Sequence, residues 1–176
     1  MNDKPIHEIM VPVAEYPCIC ETQTLRQAVD AIMTGQILRQ QQVSLARGAL
    51  VFDQAFQELL GILRRRDIMR GLEPKFLLSG SMAYERKLFN VQVDPNLAEL
   101  STDKIVARIR ERANRLVRDF MTPITATIDY EDHLMKAIYE MVDQDTSLLP
   151  VLKDGKVVGV VRSEDVLNEI ALIIRS

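Results

Sequence analysis

The residues best suited to chemistry in this sequence occur twice in one pattern. Gly61-Ile62-Leu63-Arg64-Arg65-Arg66-Asp67-Ile68 and Gly159-Val160-Val161-Arg162-Ser163-Glu164-Asp165-Val166 both read glycine, two aliphatics, arginine, two polar residues, aspartate, aliphatic. In each, an apolar run suited to a buried strand passes into an apolar-periodic segment suited to a helix, so the aspartate falls near the helix start. A carboxylate there has two uses: it can cap backbone N–H groups or accept hydrogen bonds from a vicinal diol. A pattern recurring at a large separation points to duplication.

Other chemical groups are sparse. The only histidines, His7 and His133, do not occupy matching positions, and a catalytic histidine needs a partner that fixes its tautomer and a nucleophile or metal in reach. Glu131-Asp132 before His133 suits helix capping instead. Cys18 and Cys20, separated by Ile19, share one face of a strand but are too few for a zinc site, and they read as small core residues. No phosphate loop, His-Glu-x-x-His or Gly-x-Ser-x-Gly motif occurs. The sequence therefore predicts a binding protein rather than an enzyme, with no metal.

Length and composition agree with an ordinary soluble chain. With 176 residues, 47% apolar and 27% charged, there is material for one or two small cores. A net charge of −3 gives no general attraction to nucleic acid or membrane surfaces. No apolar run approaches the roughly 20 residues that span a bilayer, and the polar start lacks a secretory stretch, so the expected location is the cytoplasm.

The elements that must position the two aspartates repeat in order. Pro5 and Pro12 bracket a short helical segment, answered by Val117 to Pro123, and each puts a methionine two residues before a proline. Short strands around Ile19 and Ile128 then lead into helices with Leu25, Ala28, Val29 and Ile32, or Leu134, Ala137, Ile138 and Met141, all at an offset of 109. Strands at 49–52 and 148–152, turns at 53–57 and Asp154-Gly155, and strands ending at Leu63 and Val161 follow. Final helices begin near Arg65 and Ser163. The offset at the aspartates falls to 98, so the first copy holds 11 extra residues, most of them around Gly35 to Gly48. Between the copies, Ser101-Thr102-Asp103 suits the start of a long helix running into the second repeat, with Ile105, Ile109, Ala113, Leu116 and Phe120 on one side. Arg108, Arg110, Arg112, Arg115 and Arg118 form a solvated face.

Two strand-helix-strand-strand-helix repeats, each led by Met-x-Pro and closed by the Gly-aliphatic-aliphatic-Arg-x-x-Asp pattern, resemble the CBS (cystathionine β-synthase) domain. The expected fold is α/β (α+β): tandem repeats packed pseudo-symmetrically through their sheets, with 1–71 as the first, 72–116 as a connector and 117–176 as the second. The resemblance implies a Bateman module that binds AMP, ADP, ATP or S-adenosylmethionine between repeats, forms a homodimer and signals to a separate effector protein. The alternative is a structural dimerisation or adaptor module with empty clefts.

By that resemblance, Asp67 and Asp165 meet ribose, and the position three residues earlier, usually Thr or Ser, meets phosphate. Here it is Arg64 or Arg162, which can clamp a phosphate or fill the space it needs. Ser163, Thr125 and Arg65 join the implied ligand contacts, and Leu149-Pro150-Val151 resembles the strand that flanks adenine. Pro150 and Val151 also suit the core. Two further expectations follow: a dimer face formed by Leu25/Val29/Ile32 and Leu134/Ile138/Met141, and a better site at Asp165, because the enlarged segment of the first copy intrudes on its own cleft.

Overall fold

The structure, a computed structural model, describes residues 4–39, 42–73 and 102–175. The first copy runs α1 (Ile6–Ile9), β1 (Val11–Pro12), a 3-10 turn at Val13–Glu15, β2 (Cys18–Cys20), α2 (Leu25–Thr34), a hairpin of β3 (Gln36–Arg39) and β4 (Gln42–Leu45), β5 (Gly48–Phe52), β6 (Leu59–Arg64) and α3 (Arg65–Leu72). The second follows α4 (Thr102–Arg112) with a 3-10 turn at Val117–Asp119, β7 (Thr122–Pro123), β8 (Ile128–Asp129), α5 (Leu134–Asp143), β9 (Leu148–Lys153), β10 (Lys156–Arg162) and α6 (Ser163–Arg175).

Local chemistry accounts for the main boundaries. Thr24 caps α2 by accepting from the Gln27 backbone, while the Gln27 side chain accepts from the Thr24 backbone N–H. Asp154 and Gly155 take φ of 51° and 75°, so two residues suffice to turn β9 into β10. In the first copy the corresponding loop, 53–58, is organised by Asp53, whose carboxylate accepts from the backbone of Ala55, Gln57 and Glu58. The extra residues around Gly35 to Gly48 fold as the β3–β4 hairpin.

The strand order is β2-β5-β6-β7 in one sheet and β1-β10-β9-β8 in the other. Each sheet therefore takes an edge strand from the opposite copy. Pro12 pairs with Gly159 and Pro123 with Gly61, in matching antiparallel registers. This exchange explains the glycine of the repeated motif. A Cβ on Gly159 would stand 2.6 Å from the Val11 carbonyl oxygen, and one on Gly61 would stand 2.6 Å from that of Thr122. Met10 and Met121, from the Met-x-Pro segments, lie against the same two glycines.

Three cores result. Ile6 and Ile9 join Ile128, Leu134, Leu149 and Val161 of the second copy, while Val117 joins Ile19, Leu25, Val51 and Leu63 of the first. Val11, Tyr16, Ile37, Leu50 and Val160 fill the space between the sheets. The twin sheets cover one another, as a sheet with helices on one side requires.

Two expectations need correction. The connector helix stops at Arg112, and the chain turns through 113–116 before the 3-10 turn; 74–101, including the proposed Ser101 cap, lies outside the described residues. Its arginines are not simply a solvated face, since Arg112 Nε donates to the Gly71 carbonyl at 2.9 Å and Arg115 lies 4.5 Å over the Phe120 ring. Of the expected dimer face Leu25/Val29/Ile32 and Leu134/Ile138/Met141, Leu25, Ile32, Leu134 and Met141 are buried inside the monomer, and only Val29 and Ile138 keep partial exposure. Their helices instead expose Met33, Met135, Tyr139 and Val142.

Candidate binding clefts

Both aspartates sit where strand becomes helix, and both are already engaged. Asp165 accepts from the Arg162 backbone N–H at 3.1 Å, from Arg162 Nε at 2.8 Å and from Nη2 at 2.6 Å. Asp67 does the same with Arg64, at 3.0, 2.9 and 3.3 Å, and also accepts from Arg70 Nη2. One carboxylate thus caps its helix and holds a guanidinium bidentately. Each arginine closes on the aspartate three residues ahead.

The two pairs differ in their surroundings. The side chains of Arg162 and Asp165 are 7% and 5% exposed, whereas Arg64 is 41% exposed although Asp67 is fully buried. Burial works against the charge on Arg162, but the hydrogen bonds and charge of Asp165 hold its guanidinium above the ordinary range. Hydrogen bonding to Asp67 does the same for Arg64. Arg162 Nη1 donates to Ser44 Oγ at 2.8 Å and stands 3.5 Å from a Glu164 oxygen; Arg64 Nη2 donates to Thr122 Oγ1 at 2.9 Å.

Ser44 belongs to the hairpin of the first copy. The extra segment therefore reaches the Arg162 cleft of the second copy, not the cleft of its own aspartate. At the corresponding place in the second copy, α5 and β9 are joined by only 144–147, and space remains. A pocket of about 120 Å³ there is lined by Ile62, Arg64, Thr122, Thr125, Asp145 and Leu148. It adjoins an inner cavity of about 40 Å³ between the repeats, where Tyr16, Arg47, Arg64, Arg162, Ser163 and Glu164 meet.

Of the residues singled out in the sequence, Arg64, Arg162 and Ser163 thus share the inner cavity, and Arg64 and Thr125 share the outer pocket. Asp67 and Asp165 lie behind their arginines. Pro150 and Val151 are buried; Pro150 pairs with Val160, Val151 lies in the core of the second copy, and neither lines these spaces. Arg65 is exposed, with Nε and Nη2 donating to the Ala46 carbonyl. Sequence reasoning missed Tyr16, whose only signal was an aromatic residue just before β2. A larger groove of about 780 Å³ opens between the hairpin tips, among Phe52, Phe56, Leu59, Leu152 and Lys156, away from all the residues singled out.

The histidines stand apart from these clefts. His7 stacks on Tyr130, with ring centroids 4.6 Å apart, and His133 is the N-cap residue of α5. Cys18 Sγ donates to the Tyr16 carbonyl, and burial pushes its thiol up to about 11. No helix of the described residues is long and apolar enough to cross a membrane.

Comparison with known proteins bears on one repeat by sequence and on the whole chain by fold. Residues 117–172 match the CBS domain model. No curated protein matches significantly in sequence. The chain is similar in fold to CBSX2, a CBS-pair protein of Arabidopsis thaliana, at 16% identity and a TM-score of 0.63, with 99% of each chain covered; CBSX2 has also been solved in complex with AMP. The CBS domain of a CBS-domain-containing membrane protein from Sphaerobacter thermophilus is similar at 22% identity and a TM-score of 0.65, covering 95% of this chain and 88% of that one. That of a bacterial CNNM/CorC family Mg2+ transporter, solved in complex with ATP, gives 15%, 0.61, 96% and 87%. Residues 117–172 form a CBS domain, and the chain as a whole has the fold of a CBS-domain pair.

Proposed function

We propose that the protein is a regulatory module that binds an anionic adenine nucleotide in the outer pocket beside Arg64. The observation carrying this is the half-exposed Arg64 at the wall of a pocket that also holds Thr125, while its partner Asp67 is held in reserve behind it. A phosphate entering this pocket competes with Asp67 for the guanidinium, and the aspartate so released can accept from ribose hydroxyls. The solved relatives with AMP and ATP support the ligand class.

The pocket is too small for a whole nucleotide as it stands, so binding requires the repeats to part. That movement is the signal. A ligand shifts such an equilibrium only by its differential affinity for the two arrangements, and about 1–3 kcal/mol suffices to regulate a separate effector protein. Dimerisation of the module uses the exposed apolar residues Met135, Tyr139 and Val142 of α5 with Leu167 and Ile174 of α6, two helices that pack side by side.

Calorimetry with ATP, AMP, S-adenosylmethionine and adenosine tests the reading. Nucleotides with phosphate should bind more tightly than adenosine and S-adenosylmethionine, which bring no anion to displace Asp67. Absence of binding by all four at millimolar concentration would overturn it. A second reading, that of a structural module, is favoured by one observation: the Arg162–Asp165 pair is buried and closed over by Ser44.

A further inference from the structure

Charge is unevenly divided along this chain. The helix α3 and residues 102–119 together carry nine basic and four acidic side chains, and one of the four, Asp67, is fully buried. Residues 120–175 carry five basic and ten acidic ones, so the net charge of −3 hides two regions of opposite sign. Residues 74–101 bring three of each sign and leave the balance as it is. The basic region is also one surface. Helices α3 and α4 pack against each other, and Arg112 Nε, donating to the Gly71 carbonyl, ties the end of one to the end of the other. No residue of α4 is buried. Several of the guanidinium groups are held by partners that leave their charge uncancelled: Arg112 by the Gly71 carbonyl, Arg65 by the Ala46 carbonyl, and Arg115 by the Phe120 ring, with Asp119 reached only at 4.0 Å. A carbonyl fixes the direction of the fork, and the N–H groups it does not use stay set for a carboxylate from outside.

We infer that the exposed sides of α3 and α4 dock an acidic protein segment, one that presents Asp and Glu around a few aliphatic side chains. Among the arginines stand Met69, 64% exposed, and Val106 and Ile109, each 39% exposed. These are aliphatic, so the surface offers no aromatic platform on which the bases of a single strand could stack. Partly exposed and few, they are also too little to bury in a lipid surface. Eight of the nine basic residues are arginine, the cation enriched with methionine at protein interfaces and matched to carboxylates by its planar fork. The inference rests on the regulatory reading only for the existence of a separate effector. Arg64, Arg162 and the spaces between the repeats take no part in it.

The probe is a fluorescent helical peptide of about 20 residues, built of glutamate, leucine and alanine with the glutamates flanking a leucine stripe. In fluorescence anisotropy it should bind the full chain saturably, more weakly as salt is added, and a counterpart with glutamine for every glutamate should not bind. Arg66→Glu combined with Arg110→Glu, both exposed, should weaken the peptide at least about tenfold while the urea midpoint and the affinity for ATP stay as they are. Arg118→Glu, in the turn beyond α4, is an independent variant with the same direction of effect. Met69→Ser, which leaves every charge in place, should weaken it about threefold or more. Failure of the glutamate peptide to bind the unmodified protein at millimolar concentration overturns the inference, as does equal binding by the charge-reversed variants. Equal binding of a peptide with serine for every leucine also overturns it, since charge attraction alone would then be at work. A single-stranded oligonucleotide or phosphatidylserine vesicles that bind more tightly than the peptide overturn the choice of partner. Peptide binding by a protein that binds no nucleotide refutes the nucleotide reading and spares this one, whereas nucleotide binding without peptide binding does the reverse.

Discussion

Asp165→Ala should destabilise the protein far more than Asp67→Ala, although the two residues occupy equivalent positions and Asp67 is the more deeply buried. Removing Asp165 takes away the acceptor for the Arg162 backbone, Nε and Nη2, and leaves a guanidinium that is 7% exposed with only Ser44 and Glu164 near Nη1. Breaking one side of a buried ion pair costs about 3–5 kcal/mol. Removing Asp67 instead frees Arg64 and Arg70, which are 41% and 62% exposed and can turn to water. The loss is then chiefly the cap and its hydrogen bonds, about 1–2 kcal/mol. For a chain of this size each kcal/mol lowers Tm by roughly 2–4 °C, so the two variants should be well separated in a thermal or urea melt. Adding Arg162→Met to Asp165→Ala should recover much of the loss, because an uncharged side chain of similar length leaves no buried charge. Equal destabilisation by the two alanine variants, or strictly additive behaviour in the double variant, would refute the account of a buried pair whose cost depends on the escape of its arginine.

Gly159→Ala and Gly61→Ala should each cost about 1–3 kcal/mol, because the new methyl meets backbone on the exchanged strand; urea unfolding measures the loss, and limited proteolysis should then cut near Val11 or Thr122. Cys18, with its thiol raised to about 11 by burial, should react slowly with a thiol reagent at pH 8 in the native protein and quickly in urea. Backbone N–H donors from Glu58, Gln57 and Ala55 hold the Asp53 carboxylate below its ordinary value of 3.8. Its contribution is therefore complete above that value and is lost as pH falls through the lower, folded pKa; amide exchange at 55–58 should accelerate in that acid range, and Asp53→Asn should make it pH-independent there.

The repeated elements were legible because each rests on a local signal: the 3.6-residue spacing of Leu25, Ala28 and Ile32, the Asp154-Gly155 turn, and the apolar run before each Arg-x-x-Asp. Strand exchange was not. Val11–Pro12 and Thr122–Pro123 are two residues long and have no periodicity of their own, and they become strands only against the opposite sheet. Gly61 and Gly159 held the clue, since a glycine within a strand marks a close backbone approach. The Arg–Asp pairing was likewise available from a three-residue spacing at a helix start. The reach of the hairpin across to Arg162 depends on how the two copies face each other, which local pattern does not encode.

On the proposed reading, the hairpin should make the clefts unequal in the direction opposite to the one its position in the sequence suggests. It is tied down as part of the core: Ile37 is completely buried between the sheets, Ala46 beside it accepts from Arg65, and Ser44 accepts from Arg162. Lifting it from the second cleft re-exposes the Ile37 side chain, at about 1.5–3 kcal/mol, and also breaks the Arg162–Ser44 hydrogen bond. Both clefts need the repeats to part, but on the Arg64 side no hairpin has to be lifted, and a half-exposed guanidinium lets go of Asp67 and takes a phosphate in its place. A difference of about 2 kcal/mol or more corresponds to over tenfold in affinity, so ligand should fill the Arg64 side first. Ser44→Ala would narrow that gap only slightly, because the hairpin remains anchored through Ile37, whereas replacing 36–45 by a short turn like 144–147 should bring the two clefts together. If nucleotide titration of the shortened protein still shows a single site, the hairpin is not what closes the second cleft.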